Sequence, residues 1–186
     1  NTVGETNPLG AINITSANNV SFTGDVEAAS LEVSGTSAIN TANITTTGIQ
    51  TYRGDVTLGA NASLTTTNSD IKFDSKLDGS HTLSLTTGSG DITFGNTVGE
   101  TNPLGAINIT SANTVTFAKD VTIDGDIEIC SNDIIFDSSL SNFQAGDTIR
   151  FYTLDGSQSM GIGGASATWT ISDTELEKIT RAATII

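Results

Sequence analysis

Arg53-Gly54-Asp55 is the most recognisable chemical signal in this chain, because integrins bind this tripeptide when it projects on a flexible loop. A structural interpretation competes with that one. Thr23-Gly24-Asp25 precedes Val26 just as the tripeptide precedes Val56, so the Gly-Asp pair also suits a repeated bend. The tripeptide is therefore a candidate receptor-binding site, but its place between Tyr52 and Val56, both predicted to be buried, favours a corner.

Aspartates recur in polar segments between apolar ones and supply oxygen atoms of the kind that bind Ca²⁺. They are Asp70, Asp74, Asp78, Asp124, Asp126, Asp133 and Asp137. The Gly-Gly-x-Gly-x-Asp repeat of calcium-binding β-helices does not occur in the sequence. Corner aspartates ordinarily satisfy backbone groups of turns. We expect no cofactor and no structural metal, with a weak surface Ca²⁺ site as the alternative.

Catalysis is not expected. Enzymes built on β-helices that act on acidic polysaccharides need carboxylates grouped with Arg, Lys or His on one face. Here His81 is the only histidine, and the seven Lys and Arg residues are scattered along the chain. No nucleophile is paired with a base in the sequence pattern. The single cysteine, Cys130, excludes an intrachain disulfide and is predicted to be a partly covered thiol.

The charge balance argues against two classes of partner. Seven basic and 21 acidic residues give a formal net charge of −14. Nucleic acids and anionic membranes both attract basic patches, so neither is an expected partner. No apolar run reaches the ~18 residues that a membrane-spanning helix needs, so membrane insertion is not expected.

The elements that must position these residues are revealed by an internal repeat. The segment 1–18 recurs without a change at 96–113, an offset of 95 residues. A finer pattern, an aromatic residue followed four positions later by Val or Leu, recurs along the chain. Its members are Phe22/Val26, Tyr52/Val56, Phe73/Leu77, Phe94/Val98, Phe117/Val121 and Phe136/Leu140, with aromatic spacings of 30, 21, 21, 23 and 19 residues. A period near 20 residues is typical of a solenoid, in which each coil packs only on its neighbours.

Each coil is predicted to contain three short strands joined by polar bends. Alternating patterns such as Ile12-Asn13-Ile14 and Ile107-Asn108-Ile109 indicate half-buried strands, and we assign these two to the same place in their coils. The predicted fold is all-β, a right-handed parallel β-helix. Its core is predicted to include a buried aromatic ladder of Phe22, Tyr52, Phe73, Phe94, Phe117 and Phe136. Gln50 is the polar exception among the inward positions.

The regular coils are predicted over residues 1–140, with both copies of the duplicated segment adopting the same structure. Residues 27–41 fit the pattern poorly and are interpreted as a partial coil or an outward excursion. Residues 141–186 are predicted to be a less regular continuation, with strands at 149–151 and 169–171 and a loop or corner at 161–164. A capping box at Ser172–Glu175 predicts a short helix near 173–179. Without visible capping coils, we expect the chain to be a piece of a longer protein.

The coil pattern, for example Asp91-Ile-Thr-Phe-Gly95, resembles the repeats of filamentous-haemagglutinin-like exoproteins. The stretches 160–164 and 170–179 resemble that family as well. The resemblance implies a stalk segment of a large extracellular bacterial adhesin, located at the cell surface. Its expected partners are other coils or domains of the same protein, with a host or neighbouring cell surface as a further possibility. A self-assembling extracellular fibre or sheath subunit, and hence a homopolymer, is the alternative.

Overall fold

The computed structural model describes residues 2–163, 167–182 and 184–185. It is a parallel β-solenoid of about seven turns with roughly 20 residues per turn, which confirms the predicted fold class. All strand pairs in the described part of the chain are parallel, and most join residues about 20 positions apart. Each turn, here called a coil, contributes one strand segment to each of three faces.

Most of the first face is formed by eight of the described strands. They are Val26–Val33, Asn43–Thr46, Ala62–Thr66, Thr82–Thr86, Ala106–Phe117, Ile127–Phe136, Thr148–Thr153 and Thr184–Ile185. The second face contains Leu9–Ile14, Gln50–Tyr52, Ile71–Phe73 and Ile92–Phe94. Four of the described strands belong to both faces, since they cross the corner without a turn; they are Leu9–Ile14, Val26–Val33, Ala106–Phe117 and Ile127–Phe136.

The third face is formed by shorter strands. They are Asn19–Phe22, Thr36–Ile39, Val56–Leu58, Leu77–Asp78, Val121–Ile123, Phe143–Ala145 and Ile179–Arg181. Val98 connects two of them through single bridges to Leu77 and Val121. Alternate residues of all three faces point inward and stack on their counterparts in the next coil. The core is therefore a set of columns that run along the solenoid axis.

Residues 27–41 form part of a complete coil, so an outward excursion is excluded. Val26–Val33 crosses the first two faces and Thr36–Ile39 lies on the third. Val33 pairs with Tyr52 and with Ile14, so the column below Tyr52 continues in aliphatic residues. The irregular spacing of 30 residues arises because this coil has no aromatic residue at the ladder position.

The placement of Phe22 in the aromatic ladder was wrong. Phe22 lies on the third face and pairs with Ile39, which pairs in turn with Leu58. Leu140, the aliphatic residue four positions after Phe136, does not take the place of Val121 in the next coil, because Phe143 pairs with Val121. Leu140 is buried outside the ladder, because the chain makes a longer bend after Phe136.

The two copies of the duplicated segment share their local conformation only in part, because residues 15–18 form a bend whereas residues 110–113 continue the strand Ala106–Phe117. Val3 and Val98 both form isolated bridges, and Gly4 and Gly99 both have positive φ. Their positions in the solenoid differ, however, and the assignment of residues 12–14 and 107–109 to one face was wrong. The former lie on the second face and the latter on the first. Since 95 residues are not a whole number of coils of roughly 20, the second copy begins one face out of phase.

The regular ladder continues beyond residue 140, through Phe143–Ala145 and Thr148–Thr153. The predicted strand at Trp169–Ile171 pairs with Met160–Ile162, where a loop was expected; residue 164 lies outside the described residues. The capping box of Ser172 and Glu175 is present. Its helix spans only Asp173–Leu176, because the chain re-enters the third face at Ile179 and pairs with Phe143.

Candidate functional site

Arg53 bridges three coils along the solenoid. Its Nε donates to Glu32 Oε1 at 2.7 Å in the preceding coil, and Nη1 lies 3.3 Å from Asp74 Oδ2 in the following one. The hydrogen bond and the charge of Glu32 raise the pKa of Arg53 above its ordinary value. Although the guanidinium is about half exposed, both of its edges already face carboxylates of this chain.

Asp55 is engaged in the same way at the corner between the second and third faces. Its Oδ1 accepts hydrogen bonds from the Ser75 hydroxyl and, at 3.2 Å, from the backbone N–H of Lys76. Its own carbonyl accepts the N–H of Ser37 at 2.8 Å. Side chain and backbone thus connect this corner to the coils on either side.

Gly54 is required by the close stacking of these corners. A Cβ added at Gly54 would lie 2.5 Å from the carbonyl carbon and oxygen of Gly35 and 2.8 Å from the N of Thr36. Such distances are shorter than any real Cβ contact to backbone. The tripeptide therefore has the geometry of a stacked corner rather than of a projecting loop, and each of its residues has a role in that corner.

The aromatic stack on the second face is built from Tyr52, Phe73, Phe94 and Phe117. Successive ring centroids are 5.3, 5.4 and 4.8 Å apart, with interplanar angles of 11°, 6° and 3°. Phe136 is tilted by 47° at 6.1 Å from Phe117, and Phe143 packs against both rings, at 5.1 Å from Phe117 and 4.8 Å from Phe136. The stack fills the interior and leaves no room for a ligand between these rings.

Gln50 is fully buried in the column beside the aromatic stack. Its Nε2 donates to the carbonyls of Ile44 and Thr65 at 3.1 and 3.0 Å, and its Oε1 accepts the Tyr52 hydroxyl at 3.2 Å. Burial raises the pKa of Tyr52 far above its ordinary value, so the phenol stays protonated as a donor. This pair is a satisfied polar insert in the core, with no path to solvent for chemistry.

We expect Gln50 and Tyr52 to be energetically coupled. Gln50→Leu should cost about 1–3 kcal/mol, because it leaves the buried Tyr52 hydroxyl without an acceptor. Tyr52→Phe should also destabilise, since Gln50 Oε1 loses its donor. The double variant should cost less than the sum of the two by about 1 kcal/mol, as measured by urea unfolding. Strictly additive losses would contradict the hydrogen bond.

Corner Asp and Asn side chains form a second system that connects the coils. In each case Oδ1 accepts a backbone N–H from the corresponding corner of the next coil, at 2.8 to 3.2 Å. The contacts join Asp25 to Asn43, Asp55 to Lys76, Asn61 to Thr82, Asn68 to Ser89, Asp70 to Asp91, Asp78 to Thr101, Asp91 to Thr114, Asp120 to Ser141 and Asp126 to Thr148. Sequence reasoning assigned these residues to local turns and missed this role between coils. Their own spacing of about one coil was the available signal.

These contacts lower the pKa of several carboxyl groups. Hydrogen bonds from Asn43 and then Thr41 lower the pKa of Asp25. Burial acts to raise the pKa of Asp70, but the N–H of Asp91 and the ammonium of Lys72 outweigh it, and the pKa is lowered overall. The hydrogen bond and charge of Lys76 lower the pKa of Glu100.

Acid should therefore destabilise the solenoid. A carboxyl group whose pKa is lower in the folded state stabilises the fold above its unfolded pKa of about 4, and this contribution is lost as the pH falls through the folded value. We expect the melting temperature to be flat from about pH 7 to 5 and to fall steeply below about pH 4. Asp25→Asn should make this fall shallower. An unchanged melting temperature at low pH would contradict the network of corner acceptors.

Hydroxyl groups occupy one inward position at the corner between the first and second faces. Thr46 and Thr87 donate to the carbonyls of Gly48 and Gly90 at 2.5 and 2.9 Å, and Thr66 donates to that of Ser69. Ser131 holds the same column in a coil whose strand crosses the corner without a turn, and its buried hydroxyl has no partner among the described residues. The three threonine hydroxyls close turns and are not arranged around a substrate.

Side chains that could bind a metal ion do not converge in the part of the chain that the structure describes. Within the described residues, no group of three or more His, Cys, Asp or Glu side chains is placed to hold a metal ion. Cys130 is half buried, burial raises the pKa of its thiol, and Sγ lies 3.8 Å from the Thr153 carbonyl. Two concavities of about 340 and 390 Å³, near Ser63 and near Glu5, are open to solvent.

Among the described residues there is no helix with the length and apolar character needed to cross a membrane. Comparisons with protein-family models, curated proteins and solved structures returned no match to this chain.

Proposed function

We propose that this chain is a rigid spacer segment of a large extracellular bacterial surface protein of the filamentous-haemagglutinin-like type. The observation that carries the proposal is the continuous stack of coils. Backbone ladders run from one coil to the next, and the interior is filled by side-chain columns such as that of Tyr52, Phe73, Phe94 and Phe117. A filled solenoid resists bending because each coil is fixed to both neighbours.

The surface supports the same role. The net charge of −14 favours solubility and disfavours lateral association between identical rods. Cations are largely used within the chain, for example Arg53 with Glu32 and Arg150 with Glu128. The corner carboxylates are likewise occupied by backbone N–H groups. These features suit a spacer between other domains at the cell surface.

A segment exchange in the parent surface protein tests the proposal. Residues 26–145 are replaced by an unrelated β-solenoid with the same number of coils, or are deleted. A spacer requires length and stiffness but not sequence, so the exchange should preserve adhesion of the bacteria, whereas the deletion should reduce it. Loss of adhesion after the exchange as well as the deletion would mean that this surface itself binds the receptor.

The Arg53-Gly54-Asp55 corner makes a separate prediction. Cells that carry integrins should adhere to the purified chain no better than to its Asp55→Glu variant, since both charged side chains are engaged within the solenoid. The variant's melting temperature serves as the control for folding. Integrin-dependent adhesion that Asp55→Glu abolishes would make this corner an adhesive element.

The alternative of a fibre or sheath subunit predicts a different behaviour in solution. A polymerising subunit should form filaments whose length increases with protein concentration. A spacer segment should remain a single species over the same range, because its acidic surface opposes association. Sedimentation velocity at several concentrations distinguishes the two.

A further inference from the structure

The two copies of the duplicated segment meet the following coil in the same way. Val3 pairs with Val26, and Val98 pairs with Val121. Ile12 pairs with Leu31, and Ile107 pairs with Ile127. The segment therefore carries its own pattern of pairing toward the coil that follows it, whichever face of the solenoid it occupies.

The second copy also packs on the coil that precedes it. Val98 pairs with Leu77, and the strand at Ile107 pairs with that of Leu83 and Leu85. Through these contacts Val98 is only 1% exposed and Leu104 is fully buried. The preceding coil thus covers the apolar side chains of the duplicated segment.

The loop at 99–103 is fixed to the same preceding coil by four polar contacts. Lys76 Nζ lies 2.5 Å from Glu100 Oε2. Asp78 Oδ1 accepts the N–H groups of Thr101 and Asn102 at 3.0 and 3.2 Å, and Gly79 N–H donates to the Asn102 carbonyl at 3.0 Å. The Lys-x-Asp-Gly corner at 76–79 therefore recognises the loop by charge and by backbone hydrogen bonds.

The first copy presents the same groups to solvent. Val3 and Leu9, the counterparts of Val98 and Leu104, are each 45% exposed. Glu5, Thr6 and Asn7 are exposed and border the open concavity of about 390 Å³. No coil of the described residues covers this edge.

We propose that the edge formed by residues 2–14 is a docking surface for a β-solenoid coil of the type formed by residues 71–95. Such a coil carries a Lys-x-Asp-Gly corner followed by a Leu-x-Leu strand. Its Lys pairs with Glu5, its Asp accepts the N–H groups of Thr6 and Asn7, and its Leu residues cover Ile12 and Ile14. The proposal goes beyond the spacer role, because it states which sequence type joins to this edge.

A peptide of residues 71–95 titrated into the full chain tests the proposal directly. We expect saturable binding, detected by the change in fluorescence of a label on the peptide. A peptide with Lys76→Ala and Asp78→Ala should bind on the order of tenfold more weakly or worse, because it loses the charge-assisted hydrogen bonds. In the full chain, Glu5→Gln should weaken binding about twofold to fivefold. Glu100→Gln is the matched control and should leave binding unchanged, since Glu100 already pairs with Lys76 of its own chain.

A second measurement removes the need for the peptide to be structured in isolation. Residues 71–95 are fused ahead of the full chain, in the order in which they precede the second copy. The fusion should melt at a higher temperature than the full chain, and the Lys-to-Ala and Asp-to-Ala changes in the added coil should abolish much of the gain. Absence of both peptide binding and stabilisation overturns the proposal, as does an effect that the Glu5→Gln and Asp-to-Ala changes leave intact.

Discussion

Phe94→Ala should lower the free energy of unfolding by about 3–5 kcal/mol, the largest loss that we expect from any single truncation in the aromatic stack. Phe94 is 1% exposed and lies between Phe73 and Phe117, at centroid distances of 5.4 and 4.8 Å. The coils on either side are held by backbone ladders, so they cannot move together to close the cavity. The loss therefore combines buried apolar surface, ring stacking and an unfilled space.

Ile135→Ala is the matched control for this variant. Ile135 lies in the equivalent strand segment of a later coil, but its side chain points outward and is 43% exposed. Its truncation should change stability by no more than about 0.5 kcal/mol. Both variants are measured by urea unfolding with far-ultraviolet circular dichroism. Similar losses for the two variants, or a loss below about 1 kcal/mol for Phe94→Ala, would contradict the stacked interior.

Gly54→Ala should destabilise the protein by about 3 kcal/mol, at the upper end of the range for overpacking. The added methyl group would lie 2.5 Å from backbone atoms of Gly35, which cannot retract without breaking the ladder between the two coils. Gly156→Ala provides the control, because a Cβ at Gly156 meets no atom within 4 Å. That variant should be neutral or slightly stabilising.

The comparison also separates the two interpretations of the tripeptide. If Gly54 were present to serve a receptor, the alanine variant would fold as stably as the parent and would lose only binding. If Gly54 is present because corners stack, stability falls whether or not a receptor exists. Equal stability of Gly54→Ala and Gly156→Ala would contradict the stacked corner.

The fold could be predicted from the sequence because the inward positions of a solenoid repeat at a nearly constant interval. Tyr52, Phe73, Phe94 and Phe117 are separated by 21, 21 and 23 residues, and their alternation with polar neighbours marks them as inward. A period of this kind specifies which residues are stacked, since backbone pairing between coils allows little variation in register.

The wrong predictions concern residues whose type does not match their position in the coil. Phe22 has the aromatic type of the ladder but lies on the third face, whereas Val33 holds the ladder position without an aromatic ring. All three faces alternate inward apolar and outward polar residues in a similar way. The duplicated segment therefore fits two different faces, and its sequence alone does not determine which face each copy occupies. The contacts of the corner Asp residues with the next coil join residues about 20 positions apart, and local turn rules do not describe them.

The most direct test of the spacer account is a distance measurement between two spin labels on the second face. Asn13 and Ile135 both point outward and are exposed, and they lie in one column through Glu32, Thr51, Lys72, Thr93 and Thr116. Six coil steps of ~4.8 Å place their backbones about 29 Å apart. With labels at Asn13→Cys and Ile135→Cys in a Cys130→Ser background, pulsed electron resonance should give one narrow distribution near that distance. A broad distribution, or a maximum displaced by more than about two coil steps, would contradict a stiff and continuous stack.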